Sequence, residues 1–216
     1  ADCTGCENCV KVCPAKNKAL EMKSSVKLEQ EEKENYEFAK DRENVETNFK
    51  PNTLKGSQFK KPYFEFSGAC AGCGETPYIK LATQLFGERM VIANATGCSS
   101  IYSGSAPSTP LAKNKDGRGP AWASSLFEDN AEFGFGIKLA KKQEREQLKI
   151  DVENYLSNNK KENKLTSLLN TWLENFENGD ETYKLSKEIA PLLKGTEFEG
   201  RESGFTKESV WIIGGD

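Results

Sequence analysis

The chain has 216 residues, with 30 basic and 33 acidic side chains and a formal charge of −3. That length allows one or two domains. The basic residues are interleaved with acids rather than massed on one stripe, which argues against nucleic acid as a partner. The absence of histidine excludes Ser-His-Asp and Cys-His nucleophile pairs, histidine-ligated zinc and histidine general bases. No apolar run reaches the ~20 residues of a membrane span, and nothing at the start reads as a secretory signal. The seven cysteines fall in two clusters, at 3–13 and 70–98. An odd, clustered set favours metal ligation over a disulfide framework.

Residues 1–20 look like half of a small cluster-binding module. Cys3-x2-Cys6-x2-Cys9-x3-Cys13-Pro14 has the spacing of bacterial-type [4Fe–4S] ligation. Three thiolates three residues apart can wrap three corners of one cubane, so Cys3, Cys6 and Cys9 are expected to share a cluster. The fourth cysteine of such a run ligates the other cluster of a two-cluster module, which assigns Cys13 elsewhere. A zinc knot on the same four thiolates and a disulfide are the competing readings. Residues 21–62 are dense in charge of both signs without apolar periodicity, and read as a charged linker, either a surface helix or a tether.

From residue 63 the pattern is α/β. Residues 63–66 are extended. Thr76 reads as an N-cap with Pro77 at the first helical position, and Ile79, Leu81, Ala82, Leu85 and Phe86 supply an apolar face. Met90–Ala95 is a short apolar run, expected as a buried parallel strand. It leads into a loop, Thr96-Gly97-Cys98-Ser99-Ser100, at the strand's C-terminal end, where doubly wound sheets bind ligands. Residues 121–127 are expected to start a helix. Residues 139–202 are a helical excursion over the sheet, with stripes at Leu148, Val152, Tyr155, Leu156 and at Leu165, Leu168, Leu169, Trp172, Leu173, Phe176. Trp172 is expected in the core. Val210–Ile213 reads as a second buried strand, ending at Gly214-Gly215-Asp216. A glycine turn followed by a carboxylate fits a diphosphate and Mg²⁺ site, though most such turns are only turns. Cys70-x2-Cys73 before a helix fits either a redox dithiol or two metal ligands. Cys98 at the same sheet edge tips the reading towards three ligands of one cluster.

Together these motifs resemble one family, the pyruvate:ferredoxin (flavodoxin) oxidoreductases. The matching pieces run from Cys3 to Pro14, Phe66 to Tyr78, Ala95 to Tyr102, Pro120 to Gly134 and Val210 to Asp216. The resemblance implies conversion of pyruvate and coenzyme A to acetyl-CoA and CO₂, with thiamine diphosphate and Mg²⁺ as cofactors and three [4Fe–4S] clusters passing electrons to ferredoxin or flavodoxin. Another 2-oxo acid, or a plain electron-transfer module, is the alternative. It implies that residues 1–20 end a two-cluster ferredoxin-like domain and that 63–216 begin a thiamine-diphosphate-binding doubly wound sheet. It assigns Cys70, Cys73 and Cys98 to the cluster nearest the thiamine, and Asp216 to Mg²⁺. Glu75, Thr96, Gly97, Ser99 and Phe127 fall on segments lining the coenzyme pocket. The chain is then a piece of a larger polypeptide, inactive by itself. Its expected partners are the remainder of that polypeptide and a second copy in a homodimer, in the cytoplasm or an anaerobic mitochondrion-related organelle.

Overall fold

The computed structural model describes residues 5–40, 47–104, 109–159 and 163–214. Cys3 and Asp216 lie outside the described residues. The chain divides into two compact units, Ala1–Val45 and Glu46–Asp216.

The first unit holds a short helix α1 (Asn8–Val12) and a longer α2 (Val26–Lys40). Gly5 and Glu7 both take left-handed backbone conformations, φ 71° and 63°, and these turn the chain sharply ahead of α1. Val26, Leu28, Tyr36 and Phe38 of α2 are all exposed, since the helix has too few apolar residues to build a buried stripe.

The second unit begins at Glu46, ahead of the start at residue 63 read from composition. Local pairings carry residues 47–61 into it. The Phe49 and Phe59 rings stack at 5.9 Å. Thr53 caps a single helical turn, α3 (Leu54–Ser57), by accepting from the Gly56 N–H. The Gln84 amide donates to the carbonyls of Ser57 and Lys60 at 3.2 and 3.0 Å. Gln84 belongs to α4 (Thr76–Phe86), whose N-cap is Glu75, without a side-chain capping bond. Thr76 is therefore the first helical residue and not the cap. The buried face of α4 is Ile79, Thr83 and Gln84, while Leu81 and Phe86 are partly exposed.

Three parallel strands form the sheet, in the order β2-β1-β3: β1 (Met90–Ala95), β2 (Ala121–Ser125) and β3 (Ser209–Ile213). Strand β1 is central and nearly all buried, as its apolar run requires. The segment expected to open a helix at 121–127 is strand β2, in register from Val91↔Ala121 to Ala95↔Ser125. Pairing with β1 overrides the helical propensity of its alanines. Strand β3 is half-exposed rather than buried, with Ile212 51% exposed. It flanks β1, and among the described residues no strand covers its outer edge. The loop expected at 96–100 is shorter than read, because helix α5 (Cys98–Gly104) starts at Cys98. Phe64 and Leu111 form an isolated antiparallel bridge.

Helix α6 (Asn130–Asn158) begins nine residues before the expected start at 139. It follows a short 3₁₀ turn over Phe127–Asp129. Its first turns lie on the sheet through Gly134, where a Cβ would come within 2.4 Å of Ile212 Cγ1 and 3.1 Å of the Ala93 Cβ. Its later turns pack with α7 (Lys164–Glu174) and α8 (Gly179–Ile189) around a separate core. That core joins Leu148, Val152, Leu165, Leu169, Trp172, Ile189, Leu193, Phe198 and Phe205. Trp172 is fully buried there, and its indole N–H donates to the Phe205 carbonyl at 2.8 Å. Arg89 pairs with Asp180 at 3.0 Å, which ties α8 to the residue that precedes β1.

Candidate functional site

Two regions hold the cysteines, one in each unit. In the first unit Cys6 and Cys9 are exposed and Cys13 is half-buried. Cys9 lies on α1 and Cys13 is its C-cap. Backbone N–H groups of Ala19 and Ala15, and more weakly of Leu20, point at the Cys13 sulfur and hold its thiol below the ordinary range. The Lys18 ammonium donates to the carbonyls of Lys11 and Cys13 at 2.8 and 3.0 Å, folding the chain after Cys13 back on α1. Donors aimed at a sulfur stabilise it as a thiolate, the form that ligates metal.

In the second unit the site is built at the C-terminal ends of the parallel strands. The Thr96 N–H and hydroxyl both donate to the Ser125 carbonyl, at 3.1 and 2.6 Å, joining the ends of β1 and β2. The Ser125 hydroxyl donates to the Asn130 Oδ1 at 3.0 Å, and the Asn130 Nδ2 donates to the Ile213 carbonyl at 3.1 Å. A chain of hydrogen bonds thus crosses all three strand ends. Below it, fully buried Ser99 donates to Asn94 Oδ1 at 2.7 Å, and Asn94 Nδ2 donates to the Ala95 carbonyl at 2.7 Å. The Ser100 hydroxyl accepts from the Gly97 N–H at 3.0 Å and fixes the turn that carries Cys98.

The Cys70–Cys73 turn closes through the Cys73 N–H donating to the Cys70 carbonyl at 3.0 Å, with Gly72 at φ 75°. This leaves Cys73 at the start of α4. The N–H groups of Thr76 and Glu75 point at its sulfur and hold its thiol below the ordinary range, with the Thr76 hydroxyl adding to them. A helix N-terminus favours a thiolate in the same way. Phe66, on the approach to this turn, is a non-glycine residue in the left-handed region at φ 59°.

The meeting point of this region is Tyr102. Its ring is 7% exposed and packs edge-on against Phe64 at 5.9 Å. Its hydroxyl has no hydrogen-bond partner. Burial raises its pKa well above the ordinary tyrosine range, and the hydrogen-bonding pull and charge of Glu75 raise it further, with smaller contributions from the Cys73 and Cys98 sulfurs. The Glu75 carboxylate stands beside the hydroxyl and pulls on its proton.

Cys73, Glu75 and Cys98 all lie within electrostatic reach of the Tyr102 hydroxyl, with Cys70 on the turn that leads to Cys73. Among the described residues, no three cysteine, aspartate or glutamate side chains stand close enough to hold a single metal ion. A cubane takes its thiolates on separate iron atoms and so spaces them more widely than one ion does. Thr96 and Gly97 sit at the end of β1, Thr96 exposed and Gly97 half-buried. The Ser99 hydroxyl faces inward to Asn94. Phe127 is 66% exposed on the 3₁₀ turn before α6. Sequence reasoning missed Asn94, Tyr102, Ser125 and Asn130. The one usable signal among them was an asparagine inside the apolar run of β1, since a buried amide needs partners.

No protein-family model matches the chain. The chain is 48% identical to pyruvate:ferredoxin oxidoreductase of Moorella thermoacetica, across all of its own length and 19% of that protein. It is 47% identical to mitochondrial pyruvate dehydrogenase [NADP(+)] of Euglena gracilis, again over its full length and 12% of that relative. Identity to pyruvate-flavodoxin oxidoreductase of Klebsiella pneumoniae is 46%, over the full chain and 19% of the relative. The chain therefore spans less than a fifth of the length of these relatives.

Proposed function

The chain corresponds along its whole length to a segment of the pyruvate:ferredoxin and pyruvate-flavodoxin oxidoreductases, and on that premise we propose that it supplies part of the electron-transfer and coenzyme machinery of a pyruvate-oxidising enzyme. That enzyme converts pyruvate and coenzyme A to acetyl-CoA and CO₂ and passes the electrons to ferredoxin or flavodoxin. The observation that carries this reading is end-to-end similarity joined to the placing of Cys73 and Glu75 ahead of α4 and of Cys98 at the start of α5, all within electrostatic reach of Tyr102.

The donor set suits iron–sulfur clusters. The six described cysteines are free, and Cys13 and Cys73 each have backbone N–H groups at sulfur. Cys3, Cys6 and Cys9 hold one cluster and Cys13 a second, in a ferredoxin-like module that ends near residue 20. Cys70, Cys73 and Cys98 hold a third, nearest the coenzyme. Their missing ligands come from the rest of the polypeptide. When bound, thiamine diphosphate supplies the electron sink for decarboxylating a 2-oxo acid. Toward it, Thr96 and Gly97 offer backbone at the end of β1, where doubly wound sheets receive ligands. Glu75 offers a carboxylate at the start of α4, and Phe127 an apolar wall. Ser99 acts through its backbone, because its hydroxyl bonds Asn94. Asp216 is the Mg²⁺ ligand, an oxygen donor suited to that hard cation.

The electron acceptor is set elsewhere in the polypeptide. Relatives named for NADP(+) share this segment at 47% and 40% identity, yet it covers only 12% and 13% of their length. A second copy of the chain and a reducing, oxygen-poor compartment complete the reading. The test is anaerobic purification of the full polypeptide, with iron and sulfide quantified. Viologen reduction that needs both pyruvate and coenzyme A is expected. Turnover of a different 2-oxo acid alone would move the assignment to that substrate, and zinc in place of iron would sink it.

A further inference from the structure

Tyr102 presents a problem that the proposed function leaves open. Its side chain is 7% exposed, yet its hydroxyl has no hydrogen-bond partner. A buried hydroxyl without a partner has given up its hydrogen bonds to water and gained none in return, which is rare in folded proteins. The ring cannot swing away to find water, because it packs against Phe64 and belongs to the cluster with Ile79, Leu111 and Trp122. Tyr102 is on α5, four residues after Cys98. On a helix, residues at i and i+4 share a face, and long side chains lean back over the preceding turn. Tyr102 therefore leans toward Cys98, and Glu75 and Cys73 also act on its hydroxyl.

We propose that the Tyr102 hydroxyl donates a hydrogen bond to a ligand sulfur of the cluster held by Cys70, Cys73 and Cys98, and thereby sets that cluster's reduction potential. This rests on the assignment of those three cysteines to one iron–sulfur cluster. Donors to cluster sulfurs are among the factors that set the potential. A reduced cluster carries one more negative charge, so a donor at sulfur stabilises it more than the oxidised form and raises the potential. Tyr102 is a positioning and tuning residue. It is a hydrogen-bond donor only, held in place by its packing against Phe64.

The experiment is a potentiometric titration of the full polypeptide, followed by electron paramagnetic resonance, comparing wild type with Tyr102→Phe. Phenylalanine keeps the ring and its packing and removes only the oxygen. The expected result is unchanged iron content and a shift of one cluster to more negative potential, about tenfold in its reduction equilibrium, or 59 mV for a one-electron couple. The other two clusters should not move. An unchanged midpoint overturns the proposal. So does loss of that cluster in a folded Tyr102→Phe protein, which would give the hydroxyl a role in assembly. If the shift vanishes in a Glu75→Gln background, the hydroxyl's partner is the carboxylate and the proposal fails. If Cys70→Ala leaves every iron–sulfur signal intact, the cluster assignment itself falls, and the two failures are told apart.

Discussion

The side-chain amide of Asn130 donates to the main-chain carbonyl of Ile213 at 3.1 Å, linking the first residue of α6 to the last residue of β3. Asn130 is 6% exposed and also accepts from Ser125 at the end of β2. It thus fixes the direction in which the chain leaves β3, three residues before Asp216. Asn130→Ala should cost about 1–3 kcal/mol, the penalty for stranding a buried polar group. In the full polypeptide it should also weaken Mg²⁺ binding, by about 10–100-fold, as removal of a group that orients a metal ligand does. Chemical denaturation reads the first effect and Mn²⁺-substituted resonance titration the second. Metal affinity equal to wild type would separate Asn130 from the metal.

Gly134 is where α6 meets the sheet. A methyl group there would overlap Ile212 Cγ1 at 2.4 Å and crowd the Ala93 Cβ at 3.1 Å. Gly134→Ala should destabilise the unit by about 1–3 kcal/mol, as overpacking does. Ile212 is half-exposed on a flanking strand, so its side chain can give way while Ala93, on the central strand, cannot. Ile212→Ala in the same chain should recover most of the loss. Thermal melts of the two single variants and the double variant check this.

Arg145 is buried in the helical module, and its guanidinium lies 4.4 Å from the Phe176 ring centre. Nη2 donates to the Phe176 carbonyl at 2.7 Å and Nη1 to the Gly204 carbonyl at 3.2 Å. Lysine cannot reproduce that two-pronged geometry. Arg145→Lys should lose about 1–3 kcal/mol of stability through unmet carbonyls, read by urea unfolding with near-ultraviolet dichroism.

Acid should loosen the helical module first. Hydrogen bonding from Arg201, at 2.7 Å, and from Gln147 holds the Asp151 carboxyl below its ordinary range. Lys207 does the same for Glu177. A carboxylate with a lowered folded pKa contributes stability that is fully present above its unfolded value of about 4. That stability is lost as pH falls through the folded value. Melting temperature should therefore drop as pH falls below about 4 to 5, and Asp151→Asn should flatten that slope. An unchanged slope would show that these pairs are too screened to matter.

Much of this protein is legible in its amino-acid sequence alone. The β1 run is continuous and apolar, and the stripes around Leu148, Leu169 and Trp172 repeat at the helical period. Burial follows such periodicity directly: Ile92 and Ala93 at the centre of β1, and Leu148, Leu169 and Trp172 on the helices, all lie in the core. The cysteine spacing is equally local, because the reach of a short loop is set by residue count.

The strand at 121–125, the half-exposed β3, the helix starting at Cys98 and the inward-facing Ser99 hydroxyl are not legible in that way. Each depends on a partner distant in sequence or on the fold around it. Ala121–Ser125 is a strand because β1 offers it hydrogen bonds, and Ser99 faces inward because Asn94 waits beneath it. Tyr102 stands out only because packing against Phe64 leaves its hydroxyl unpartnered among Cys73, Glu75 and Cys98. Local periodicity and spacing are properties of the chain, whereas the satisfaction of a polar group is decided by whatever folding places beside it.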